Sequence, residues 1–124
     1  MTSPAPSARR IPRNAAPAAG AYAVLAVVGL VGTWWFNLAY RGDSYVGDWS
    51  ANPASSSAAV DILVVFLVCV VFFVREARRL GWRPWVPFVF GLLSLVVAVA
   101  FAFPLFLALR ELRLVREQRS PTSA

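Results

Sequence analysis

The sequence predicts an all-α membrane protein: three transmembrane helices in a small bundle, with disordered termini. Three observations carry this. Of 124 residues, 59% are hydrophobic and 15% charged, with a mean hydropathy of +0.63, against about 25% charged residues in soluble domains. The apolar residues lie in long uninterrupted runs, which a water-facing domain of this length has no core large enough to bury. The ionisable residues fall between and beyond those runs, leaving only Asp61 inside one.

Residues 1–14 are rich in Pro, Ser and Ala, carry Arg9, Arg10 and Arg13, and lack apolar periodicity, so a disordered basic tail is expected. From Ala15 to Tyr40 there is no charge, a run of about 26 residues where roughly 20 cross a hydrocarbon core. The first helix is expected over about 18–40. Arg9-Arg10 before an apolar stretch resembles a twin-arginine signal, but the run is longer than such signals carry and no A-x-A site closes it. An uncleaved anchor follows.

The second helix is expected over about 57–80. Ser55, Ser56 and Ser57 can cap it, and Asp61 falls near a first turn where a carboxylate meets the positive end of the helix dipole. Arg78 and Arg79 sit in its last turn, which Gly81 can close in a left-handed cap. The third uncharged run, Pro84 to Leu109, predicts a helix over 84–115, since proline is tolerated in a first turn. Pro104 lies deep in that helix and predicts a kink near Ala100. The membrane domain is thus 15–115, and 116–124 form a second disordered tail. Lipid leaves the backbone of so short a chain no alternative to helices.

Orientation follows from arginine, which supplies all 12 basic residues. The amino-terminal tail has three and the 75–83 connection four, whereas the 41–53 connection has only Arg41, opposed by Asp43 and Asp48. The expected protein is multi-pass in the inner (cytoplasmic) membrane, with its amino terminus and Arg75–Arg83 cytoplasmic and the 41–53 connection outside. Three spans then force the carboxyl tail outside, although it carries Arg110, Arg113, Arg116 and Arg119. Trp34 and Trp35 mark one interface and Trp82 and Trp85 the other. With Arg75, Arg78, Arg79 and Arg83 they are expected to contact lipid headgroups, each arginine contributing about 1 kcal/mol near an anionic leaflet.

Small residues recur at packing intervals: Gly29 and Thr33 on the first helix, and Ser94, Ala98 and Ala102 on the third. Such rows let backbones approach in lipid. The two faces are expected to meet each other, with a homo-oligomer seam as the alternative. Cys69, in mid-span, is expected to be a small buried hydrophobe.

Chemistry-bearing residues are scarce. The chain has no histidine and one cysteine, and it lacks the paired carboxylates of acid catalysis. No catalytic role, metal or cofactor is expected. Asp61 is the one ionisable residue within a span and so a functional candidate, although its place near the surface favours helix-start stabilisation. Asn37 can hydrogen-bond across helices or contact a headgroup. The segment Leu105–Glu117 continues a partly amphipathic helix beyond the membrane, where Arg110 and Arg113 can snorkel. Nucleic acid is not an expected partner, because the arginines are spread over separated segments with no recognition module.

Four segments carry a resemblance: Gly29-Leu30-Val31-Gly32-Thr33-Trp34-Trp35-Phe36-Asn37-Leu38-Ala39-Tyr40; Asn52-Pro53-Ala54-Ser55-Ser56 with Asp61; Glu76-Ala77-Arg78-Arg79-Leu80-Gly81; and Phe101-Ala102-Phe103-Pro104-Leu105-Phe106-Leu107. In this order they resemble the small bacterial membrane proteins grouped as domain of unknown function 2834, over roughly Ala21 to Glu111. The resemblance implies a membrane protein of three or four helices with no assigned activity. Among function classes, the scarcity of polar residues in the spans favours a non-catalytic accessory or interaction subunit whose partners are membrane lipids and a larger membrane protein or a second copy. The alternatives are an oligomeric small transporter or channel using Asp61, and an enzyme or binder of an isoprenoid-type lipid.

Overall fold

A computed structural model describes residues 15–119, apart from the side chain of Gln118, so the tail expected over 1–14 and positions 120–124 lie outside the described residues. Within 15–119 the regular structure is helical throughout: α1 (Ala15–Ala39), α2 (Tyr45–Asp48), α3 (Pro53–Arg79), α4 (Val86–Val96) and α5 (Val99–Arg119). Residues 116–119, expected in a disordered tail, are the last turn of α5.

α3 begins at Pro53, about a turn before the expected start. Asn52 accepts from the Ser55 N–H (3.0 Å) and the Ser55 hydroxyl accepts from the Asn52 N–H (3.3 Å). This reciprocal cap satisfies two amides, and Pro53 occupies a position that needs no donor. Asp61 consequently lies in the third turn, beyond the reach of the helix-end charge. At the other end Gly81 adopts φ +63°, its N–H donates to the Arg78 carbonyl (3.2 Å) and the Trp82 N–H to the Ala77 carbonyl (2.9 Å). This is the left-handed cap the sequence predicts.

The third uncharged run is not one helix. It stops at Val96, turns at Val97 and Ala98, and α5 returns antiparallel to α4. The rings of Phe90 and Phe106 lie 5.1 Å apart, those of Trp82 and Phe106 also 5.1 Å, and the Arg113 guanidinium stands over Trp82. A continuous helix would separate Trp82 from Phe106 by about 36 Å at 1.5 Å per residue. At the bend the Ala98 N–H reaches back five residues to the Leu93 carbonyl (3.4 Å), while the Phe101 N–H reaches back only three, to Ala98 (3.2 Å). One loose turn is followed by one tight turn. Pro104 lies inside α5 and is not the site of the break, so the kink expected near Ala100 is replaced by a reversal at 97–98.

The hairpin is held by what it packs against. Phe106, fully buried, is surrounded by Phe72, Phe73, Trp82 and Phe90 at ring distances between 4.8 and 5.8 Å. Cys69 and Ala102 complete this core. α3 packs on both arms of the hairpin, antiparallel to α4 and parallel to α5. α1 packs on α5 instead of on α3. Its covered stripe is Ala15, Ala19, Tyr22, Ala26, Gly29, Thr33 and Asn37, mostly small residues three or four apart that permit a close approach. Gly29 meets Ala100 at the start of α5, so the two helices run antiparallel.

One end of the molecule therefore holds the start of α1, the α3–α4 connection and the end of α5; the other holds residues 40–52. α1 and α3 are long and apolar enough to cross a membrane, yet only 17% and 11% of their apolar windows are buried. Core helices of a water-soluble domain would be mostly covered. Val24, Leu25, Val28 and Val31 on α1 and Leu63, Val64, Leu67 and Val68 on α3 are each more than half exposed.

Candidate functional site

The hairpin turns back before the far end of the bundle and leaves a chamber of about 370 Å³ above its tip. α1 contributes Thr33 and Asn37, α2 contributes Tyr45, the turn after it Trp49, α3 contributes Ile62, and the floor is the bend from Ser94 to Ala100. Irregular backbone at membrane depth is tolerated where it is buried in protein or lines such a cavity. The bend meets that condition.

The roof is a small hydrogen-bonded aromatic group. The Tyr45 hydroxyl donates to Asn37 Oδ1 (2.7 Å), and the Tyr40 hydroxyl donates to Asp48 Oδ2 (2.6 Å). The Tyr45 ring lies edge-on to Tyr40 at 5.1 Å and 5.8 Å from Trp49. The hydrogen bond to Asp48 raises the pKa of Tyr40 above its ordinary value. α2 is a single turn, fixed by the Ser44 hydroxyl accepting from the Gly47 N–H (3.0 Å). Since Asn37 spends its carbonyl on Tyr45, its amide NH₂ is left to donate, beside the Thr33 hydroxyl. Ser94 instead returns its hydroxyl to the Phe90 carbonyl (2.8 Å). Among the described residues no Asp, Glu or Arg lines the chamber, so its chemistry is that of holding a neutral polar group.

The second polar site lies at the opposite end. Arg110 Nε donates to Glu76 Oε1 (2.6 Å), its Nη1 reaches Glu111, and Arg79 stands 3.8 Å from the other oxygen of Glu76. Both carboxylates are buried, and the cluster ties α3 to α5. This corrects the reading of Arg110 as a snorkelling residue. Sequence reasoning missed the cluster, although Glu76 is the one acid among the four arginines of 75–83, and Arg110-Glu111 end the third apolar run.

The remaining sequence candidates separate. Asp61 is exposed on α3 and does not line the chamber, so it is not brought together with Asn37. Thr33, Ser94 and Ala98 meet at the chamber, Gly29 lies against Ala100, and Ala102 is fully buried beside Phe106. Arg75, Arg78, Arg79 and Arg83 are exposed at one end, with Trp85. Trp82 is half-buried under Arg113, while Trp34 and Trp35 are exposed near the other end. Among the described residues no cluster of His, Cys, Asp and Glu suits a metal.

These features define a small all-helical protein with two helices long enough and apolar enough to cross a membrane, joined to a shorter apolar hairpin. The chain belongs to the family described as protein of unknown function DUF2834, whose family model matches residues 21–112. No curated protein and no solved structure matches it.

Proposed function

We propose that this is an integral protein of the inner membrane in which α1 and α3 span and the α4–α5 hairpin enters and leaves on one side, and that it serves as a non-catalytic accessory or interaction subunit. Both tails and the Arg-rich connection face the cytoplasm. Supporting that orientation, among the described residues Arg75, Arg78, Arg79, Arg83, Arg110, Arg113, Arg116 and Arg119 lie at one end and only Arg41 at the other. The three-span arrangement left four of these on the wrong side; the hairpin removes that conflict.

The observation that carries the accessory reading is the placement of polarity. Among the described residues the charged groups other than Asp61 sit at the ends, several of them paired, while the chamber lining offers neutral donors and acceptors and α1 keeps a broad apolar face uncovered. A larger membrane partner would cover that face. Affinity purification of the tagged protein in mild detergent tests this: a stoichiometric heteromeric complex is expected, and a protein recovered alone from its native membrane contradicts it. One observation favours transport as a second reading, namely a helix break at membrane depth lining a polar chamber, the arrangement at many substrate and ion sites.

A further inference from the structure

A groove of about 580 Å³ opens on the outside of the hairpin at the Arg-rich end. Its composition is graded along the helix axes. Arg83, in the α3–α4 connection, and Arg113, on α5, stand at the mouth, while Val86, Val89 and Phe90 on α4 and Leu109 on α5 line the part that runs toward the middle of the bundle. The gradient follows from the hairpin: α4 leaves the Arg-rich end as α5 returns to it, so Leu109 lies one turn deeper than Arg113.

The positive charge at the mouth is only partly compensated. Among the described residues Arg83 pairs with no carboxylate, and Arg113 engages only Glu117, on the exposed surface, through its Nε (3.2 Å). Arg113 is also held in place by Trp82, with its guanidinium carbon 5.9 Å from the ring centroid. Its two terminal nitrogens remain to donate. Two guanidinium groups above an apolar trough match one amphiphile: a phosphate at the arginines and an acyl chain on Val86, Val89 and Leu109.

We propose that this groove is a binding site for a single anionic phospholipid, with its phosphate between Arg83 and Arg113 and an acyl chain along the α4–α5 trough. The proposal rests on the membrane reading above and places the site in the cytoplasmic leaflet. It is distinct from nonspecific headgroup contact, because Arg75, Arg78 and Arg79 carry the same charge but do not line this groove.

The test is native mass spectrometry of the detergent-purified full chain titrated with phosphatidylglycerol or phosphatidylcholine. One phosphatidylglycerol is expected to bind at least about fivefold more tightly than phosphatidylcholine. Arg83→Gln, in an exposed connection, should abolish the preference, as should Val89→Trp, which fills the trough and leaves the charge intact. Arg41→Gln, at the other end, should not. Equal binding of the two lipids, or a preference that survives both Arg83→Gln and Val89→Trp, overturns the proposal. So does displacement of phosphatidylglycerol by millimolar inorganic phosphate, which would make the anion alone the ligand. Failure of the membrane reading is seen separately, as a chain that alkaline carbonate strips from membranes.

Discussion

Gly29 of α1 lies so close to the backbone carbonyl of Ala100 on α5 that a methyl group on Gly29 would overlap the carbonyl oxygen. In a regular helix that carbonyl would accept from residue 104, but Pro104 has no N–H to give. The proline frees an acceptor, and the glycine supplies a backbone surface without a side chain, suited to a Cα–H···O contact. A side-chain-free backbone and a freed carbonyl thus meet at one helix contact.

Gly29→Ala is expected to destabilise the protein by about 1–3 kcal/mol, because the obstruction is backbone and α1 must move away. Gly32→Ala meets open space and should leave thermal unfolding in detergent unchanged or raise it slightly through helix propensity. Equal midpoints for the two variants would show that α1 does not approach α5 at Gly29.

Glu76→Gln removes the carboxylate that links Arg110 to α3, and a double-mutant cycle with Arg110→Gln should return a coupling of about 1–2 kcal/mol. The exposed pair Arg113–Glu117 is the internal comparison, with an expected effect below about 0.5 kcal/mol for Glu117→Gln. Thermal unfolding at two salt concentrations separates them, since partial burial protects the first pair from screening.

The hairpin predicts accessibility. In a Cys69→Ala background, single cysteines replacing Ser44, Leu80 and Arg116 should react with a membrane-impermeant thiol reagent on intact cells only at Ser44. Labelling at Arg116 as well would restore three full spans, because that position crosses to the far side only if 84–115 is one continuous helix.

Asp61→Asn is expected to express, fold and complement a deletion strain, with a stability change within about 0.5 kcal/mol, as for other exposed positions without partners. Loss of complementation by a stably folded variant would move the transport reading to first place.

The helical class and the apolar runs were legible because each depends on residues close in sequence. The Gly81 cap follows from its position after Arg78-Arg79, and the extent of α1, to within about a turn, from the absence of charge. The Asn52–Ser55 cap was equally local, but Ser55, Ser56 and Ser57 offered competing starts, and only the structure selects Asn52. The chamber was partly legible: Asn37 stood out as a polar residue able to bond across helices and Thr33 as a small packing residue, while Tyr45 and Trp49, beyond the first apolar run, reach it only through the tertiary structure.

By itself the sequence determined that this chain is helical and that its charges, Asp61 excepted, lie outside the apolar runs. Tertiary structure alone decided that residues 84–115 reverse at Val97 and Ala98. An uncharged run of about 26 residues satisfies the length of a span, and nothing in its own composition distinguishes one long helix from two antiparallel arms. The difference lies in contacts between residues far apart in sequence: Phe106 against Trp82 and Phe90, and Arg110 against Glu76. Those contacts gather four aromatic rings about Phe106 and join Glu76 of α3 to Arg110 of α5, which a straight third helix would hold far apart.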